Sequence, residues 1–173
     1  MKTILIINNQ DIDPGAPFVD TRIFRNRKAA RAVVFDNTGK IALLKVGLYK
    51  YHKLPGGGIE EGEDVQTALE RELLEEIGCK AEVTSEIGEI IEYRDQFELK
   101  QTSYCFIAKQ IGIKGEPNFT EKELREQISI VWVSDIHAAI SLLEQDLPTN
   151  YEGKFIQRRD LTSLKTARDQ MSM

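Results

Sequence analysis

Apolar positions along this chain follow two periods, and the switches between them mark out its elements. Alternation or short apolar runs predict strands at Thr3–Ile7, Ala30–Asp36, Lys40–Val46, Ala81–Ile87, Glu89–Asp95, Glu98–Gln110 and Ile128–Ser134. The second and third flank Asn37-Thr38-Gly39, a hairpin signal. In the sixth, Tyr104, Phe106 and Ala108 share one side. A helical period runs through Val65, Leu69, Leu73 and Ile77, with Leu74 beside that stripe. It predicts a helix from about Asp64, a suitable N-cap, to Ile77, with Gly78 as the left-handed stop. Two more helices are expected. Ser134 would cap Asp135–Gln145, and Tyr151–Gln170 would turn Phe155, Leu161 and Leu164 inward. Residues 112–127 read as a loop with at most one helical turn. Strands and helices alternate irregularly, which predicts a mixed sheet covered by helices.

At 173 residues, with 41% hydrophobic and 29% charged positions, the chain is expected to form one domain, 1–173, with a sizeable core. A net charge of -5 gives no general attraction to nucleic acid or to an anionic membrane, so no stable nucleic-acid binding is expected. The apolar part of "MKTILIINNQ" is too short for a secretory signal, and no run reaches the ~18–20 apolar residues of a membrane span. Cys79 and Cys105 lack metal-type spacing and sit among apolar residues. They read as buried reduced thiols, and the cytoplasm is the expected location.

One helix carries chemistry. Glu72, Glu75 and Glu76, spaced i, i+3 and i+4, share an arc of roughly 100° next to the apolar stripe. A solvated acidic face is the ordinary fate of such glutamates, but two terms oppose it here. Like charges four apart repel by a few tenths of a kcal/mol, and acids just before the helix stop face the negative end of the dipole. A divalent cation reverses the sign of both, and oxygen-only ligands suit Mg²⁺ or Mn²⁺ rather than zinc. Upstream, Pro55-Gly56-Gly57-Gly58 lets the backbone approach a ligand closely, where a simple turn could manage with one glycine.

Gly57, five residues, Glu63, seven residues, Arg71-Glu72-Leu73, one residue, Glu75-Glu76, one residue, Gly78 and Cys79 together resemble the complete signature of the Nudix hydrolase family, the MutT-like enzymes. All the fixed positions of that pattern are filled over twenty-three residues, so the match is specific; with the flanking strand order it covers roughly residues 29–146, leaving an N-terminal arm and a C-terminal helix loosely matched. The resemblance implies an α/β/α sandwich and Mg²⁺-dependent hydrolysis of a nucleoside diphosphate linked to another moiety. It implies Glu72, Glu75, Glu76 and the Gly56 carbonyl as metal ligands, Mn²⁺ being an alternative. Gly57 and Gly58 would approach the substrate, and Arg71 would hold the acids in place, bridging Glu63 to them. Glu72 and Glu76 are the candidates for accepting the proton of the attacking water. A later loop supplies the base in some relatives, which brings in Glu121, Glu123 and Glu126, with Glu123 or Glu126 favoured.

Substrate signals are thinner. No proline lies between Gly78 and Pro117, which counts against ADP-ribose, no coenzyme A motif is visible, and Tyr93 is only a loose match to the region used for dinucleoside polyphosphates. Elimination leans toward a nucleoside triphosphate cleaved to monophosphate and pyrophosphate. Dinucleoside polyphosphate or ADP-sugar hydrolysis, and a catalytically silent nucleotide sensor, stay open as alternatives; a pure interaction module leaves the acids unexplained. The basic stretch holding Arg22, Arg25, Arg27, Lys28 and Arg31 reads as a solvated arm or homodimer contact, with a phosphate-facing edge, and Arg31 in it, as the functional alternative. Tyr49 or Tyr51 could stack on a base, with packing against the sheet the expected fate of one of them. His137 and Trp132 are expected to be structural, Trp132 in the core.

Overall fold

The computed structural model describes residues 1–172, as β1 (Thr3–Ile7), β2 (Arg25–Phe35), β3 (Ile41–Val46), β4 (Tyr51–Lys53), β5 (Gly56–Gly58), α1 (Val65–Ile77), β6 (Lys80–Arg94), β7 (Leu99–Ile111), α2 (Glu121–Arg125), β8 (Ile128–Val133), α3 (Ile136–Gln145) and α4 (Tyr151–Met171). The strands form one mixed sheet in the order β1-β6-β7-β2-β3-β4, with β5 added to β2 and β8 to β3. β1 runs parallel to β6 and β2 parallel to β7, while the other pairs are antiparallel.

The Asn37-Thr38-Gly39 turn joins β2 to β3, but only Phe35 and Ile41 pair across it. β2 then stays with β7 along its whole length while β3 leaves to pair with β8 and β4. That splay opens a gap beside β2, and the short glycine strand β5 fills it, opposite Ala29, Ala30 and Arg31.

Alternation along β2 divides the core. Ala30, Ala32 and Val34 face α1, meeting Leu69, Leu73 and Ile77. Val33 faces the opposite way, with Leu43, Ile90 and Cys105, under Leu143 of α3 and Phe155 and Leu164 of α4. The result is the expected three-layer α/β/α sandwich. Asp64 caps α1 by accepting from the Thr67 amide at 2.8 Å, and Gly78 ends it at φ 65°.

Several expectations need correcting. Asp135, not Ser134, caps α3, accepting from the Ala138 amide at 2.9 Å; the carboxylate reaches that amide from one residue nearer the helix. The strands expected at 81–87 and 89–95 are one strand, β6, kept continuous by two irregularities in its pairing with β7. The basic stretch is solvated only in part: Arg22, Arg25 and Lys28 are exposed, but residues 25–31 start β2, and Arg31 is only 5% exposed. Leu74 is half exposed, at 49%. Trp132 is only partly buried, with the Lys114 ammonium 3.4 Å from its ring centroid, and His137 is exposed. In β7 the more buried side is Gln101, Ser103 and Cys105, because polar partners on β6 and α4 meet it there. Both cysteines are free and buried, and among the described residues no helix is long and apolar enough to cross a membrane.

Candidate active site

Strand β5 and helix α1 bound a cleft of ≈ 350 Å³, with α2, β4 and the first turns of α4 completing its rim. The glycines let everything else come close. A Cβ on Gly57 would lie 2.4 Å from the Glu72 carboxylate, and one on Gly58 would lie 2.9 Å from the Arg27 guanidinium. Successive positions on a strand point to opposite sides. Glu72 therefore leans on one side of this bare strand and Arg27 on the other, with only backbone between them.

The acids grade from buried to exposed. Glu76 is 2% exposed, accepts from the Gly56 amide at 2.6 Å and meets the Lys53 ammonium at 3.0 Å. Burial raises its carboxyl pKa, against the opposing pull of Lys53 and the Gly56 amide. Glu72 is largely covered and Glu75 nearly half exposed. Arg71 spans the set: it donates to both Glu63 oxygens at 2.9 and 3.0 Å, to Glu72 at 2.9 Å, to Glu75 at 3.4 Å and to the Gly58 carbonyl at 2.9 Å. Glu63 above all holds this guanidinium firmly protonated. The signature arginine thus joins Glu63, the glycine strand and two of the acids in one fork, a geometry that lysine could not supply.

Among the described residues no three carboxylate, imidazole or thiol groups already converge on one point as a metal cage. The donor set nevertheless suits a hard divalent cation. It consists of oxygens only, it lines one cleft, and its members already draw cations, Arg71 onto Glu72 and Glu75 and Lys53 onto Glu76. The Gly56 carbonyl, expected as a further ligand, accepts from Arg31 at 2.6 Å, which uses one of its two lone pairs.

Of the loop acids, Glu123 lines the cleft but closes a capping box, accepting from the Thr120 amide at 2.7 Å and hydroxyl at 2.8 Å. Glu126 also lines the cleft and has only a loose contact with Lys122, at 3.7 Å, whereas Glu121 is exposed and pairs with Arg125. Tyr51 is 4% exposed and lies against Gly153 of α4, so the ring offers no free face to a base. Its neighbour His52 pairs with Asp146 at 2.9 Å.

A second charged set lies beneath the glycine strand and was not anticipated. Glu92 accepts from Arg94 at 2.9 Å, from Gln101 at 2.8 Å and from Arg159 at 3.4 Å; Arg94 also reaches Glu152 at 2.7 Å, and Arg159 grips Asp160 at 2.7 Å. Burial pushes Glu92 toward its neutral form, but Arg159 and Arg94 outweigh it and hold the pKa at about 2. Asp160 accepts from the Leu54 amide at 2.8 Å, so α4 anchors the chain two residues before the glycine strand. The only available signal was charge at inward helical positions: Arg159 and Asp160 sit between Ile156 and Ser163, on the turns that pack inward.

The sequence profile of the NUDIX domain matches residues 25–152. Over 42 residues the chain is 55% identical to an RNA pyrophosphohydrolase of Sulfurovum sp. (strain NBC37-1), covering 24% of this chain and 27% of that protein; the match therefore spans about a quarter of the relative's length. Among solved structures the chain is similar to a NUDIX hydrolase from Nitrosomonas europaea, at TM-score 0.63 and 15% identity, over 84% of this chain and 90% of that one. It is also similar to the MutT protein from Methanosarcina mazei Go1, at TM-score 0.57 and 16% identity over 85% and 96% of the two chains. An ADP-ribose pyrophosphatase from Streptococcus suis 89-1591 aligns at TM-score 0.52 and 21% identity, over 82% and 92%. At these identities the likeness is one of fold.

Proposed function

The chain belongs to the NUDIX family, and on that premise we propose that it is a pyrophosphohydrolase that needs Mg²⁺ or Mn²⁺ and cleaves a nucleoside triphosphate to monophosphate and pyrophosphate. The observation that carries the reading is the gathering of Glu72, Glu75 and Glu76 with the glycine strand around one cleft. The names of the relatives agree in kind, since an RNA pyrophosphohydrolase and an ADP-ribose pyrophosphatase both act on a phosphoanhydride.

Glu72, Glu75, Glu76 and the Gly56 carbonyl would hold the cation, which when bound neutralises pyrophosphate oxygens that otherwise repel an attacking water. The side chains supply the rest. Arg71 fixes the acids against the helix and the glycine strand. Lys53, already on Glu76, offers a positive charge at the buried end of the cleft. The attacking water's proton goes to a carboxylate of the same wall, and Glu72 and Glu76 are assigned that role. Glu126 is the loop residue best placed to assist, because Glu123 is engaged in its cap. Gly57 and Gly58 admit the phosphate chain, since any side chain there would fill the space between acid and arginine.

The test is product analysis on a nucleotide panel with and without Mg²⁺. Metal-dependent release of pyrophosphate and monophosphate supports the reading. Tight nucleotide binding without turnover favours the sensor. Mg²⁺ or Mn²⁺ at millimolar concentration should also raise the melting temperature by preferential binding to the folded state. An unchanged melting temperature would count against the metal site.

A further inference from the structure

Seven of the ten arginines, Arg22, Arg71, Arg94, Arg125, Arg158, Arg159 and Arg168, each meet a carboxylate, and Arg25 is exposed to solvent. Arg27 and Arg31, two positions either side of Ala29 on β2, meet only neutral oxygens. Arg27 donates to the Gln101 side-chain oxygen and Arg31 to the Gly56 carbonyl at 2.6 Å. Among the described residues neither has a carboxylate oxygen within 4.0 Å. The Nε of Arg31 is buried with no partner at all. Nearby carboxylates are already taken: Glu92 and Asp160 by Arg159, and Glu92 and Glu152 by Arg94. A buried guanidinium without a counter-charge is costly, and a fold keeps one where something anionic completes it.

Both side chains line the same cleft as the acids, from across the glycine strand. Burial and the neighbouring Arg159 lower the Arg31 pKa to about 10, which still leaves it charged at neutral pH. The cleft is therefore bipolar. One wall is suited to a cation, and the other already presents two guanidinium charges in search of an anion, in a form matched to phosphate geometry.

We propose that Arg27 and Arg31 form an anion subsite that takes a phosphoryl group of the substrate beyond the pyrophosphate held at the acids, and so select a triphosphate chain over a diphosphate ending in a neutral sugar. This takes from the reading above only that the cleft receives a phosphate chain. The bond broken is unchanged; the subsite contributes binding and register. Arg27, partly exposed, sets the affinity, while Arg31 also ties the subsite to the Gly56 carbonyl.

The experiment is calorimetric titration of inorganic tripolyphosphate into the protein in EDTA, wild type against Arg27→Gln. Wild type should bind, and Arg27→Gln should weaken binding on the order of 10–100-fold with its melting temperature preserved. Glu70→Gln, exposed on α1 and away from the cleft, should leave binding unchanged. A parallel kinetic readout is KM: Arg27→Gln should raise it for a nucleoside triphosphate and leave that for ADP-ribose within about twofold. Absence of wild-type binding, equal affinity in wild type and Arg27→Gln, or equal losses on both substrates would overturn the proposal. Because the titration needs no turnover, tripolyphosphate binding that depends on Arg27 in a protein without hydrolase activity would refute the catalytic reading and leave the subsite standing. Turnover that is indifferent to Arg27 would do the reverse. Arg31→Gln is a poorer probe, since loss of its bond to Gly56 could disturb the glycine strand itself.

Discussion

The two walls of the cleft solve opposite electrostatic problems by different means. The α1 wall crowds acids within one helical turn and relieves them with two cations, Arg71 on its partly exposed side and Lys53 at the buried end. The wall beneath the glycine strand buries Arg31, Glu92, Arg94, Arg159 and Asp160 almost completely. Its charges come from β2, β6 and α4, and Glu92 and Arg159 are 67 positions apart. In the first arrangement Arg71 keeps a solvent-exposed side, so it can give way to the cation proposed above. The second is rigid, because removing any one buried partner strands another. On the proposed reading, the difference separates a wall that performs the chemistry from one that holds the glycine strand and its arginines in place.

That contrast predicts unequal costs for similar substitutions. Glu92→Gln should be the most damaging, destabilising by about 3–5 kcal/mol at neutral pH in urea unfolding, because Arg94 and Arg159 lose their shared buried partner. The pH dependence has a definite sign. Glu92 has its folded pKa depressed from 4.5 to about 2, so its stabilisation is fully present above pH 4.5 and is lost as pH falls from there toward 2. Wild type should show that acid limb and Glu92→Gln should lack most of it. A cost below about 1 kcal/mol would erase the distinction between the walls.

Gly57→Ala should split activity from stability. The new Cβ meets the tip of Glu72, a flexible side chain that can move aside, so melting should shift little while kcat falls about 10²-fold as the acid is displaced. Unfolding of this variant would mean that the acid wall is as rigid as the other. For activity Gly78→Ala has the smallest effect of the set; it should cost stability instead, about 1 kcal/mol or more, from its φ of 65° and from the Gly115 backbone carbonyl 2.3 Å from the added Cβ. Thermal melting measures it, and activity per folded molecule should survive.

The same contrast explains what could be read in advance. Glu72, Glu75, Glu76, Arg71, Asp64 and Gly78 lie within fifteen residues, so helical spacing, capping rules and the family resemblance were enough to bring them together. The longer strands and helices were legible for the same reason, since local periodicity carries them; β4 and β5, three residues each, were not, because three positions show no period and pairing to β3 and β2 alone makes them strands. The buried wall was hardly legible, because the position of Arg159 and Asp160 between Ile156 and Ser163 is its one local signal and their partners Glu92 and Leu54 are distant in sequence. The basic stretch reads as a solvated arm or homodimer contact, with Arg31 as its phosphate-facing alternative, because the apolar pattern of β2 starts only at Ala29 and Ala30 and most of the charges precede it. Its β7 partners extend the strand back to Arg25 through polar residues. Tyr51 was offered to a base because a loop aromatic next to glycines fits that role, but α4 folds back and covers it at Gly153.

The central claim is that the acid wall performs the chemistry, and it is tested most directly by comparing Glu76→Gln with Glu70→Gln on the same nucleoside triphosphate. Both lie on α1 and both remove one negative charge, but only Glu76 reaches the glycine strand, at the Gly56 amide. The account predicts a loss on the order of 10²–10⁴-fold in kcat for Glu76→Gln and little change for Glu70→Gln. Equal losses in the two would contradict it.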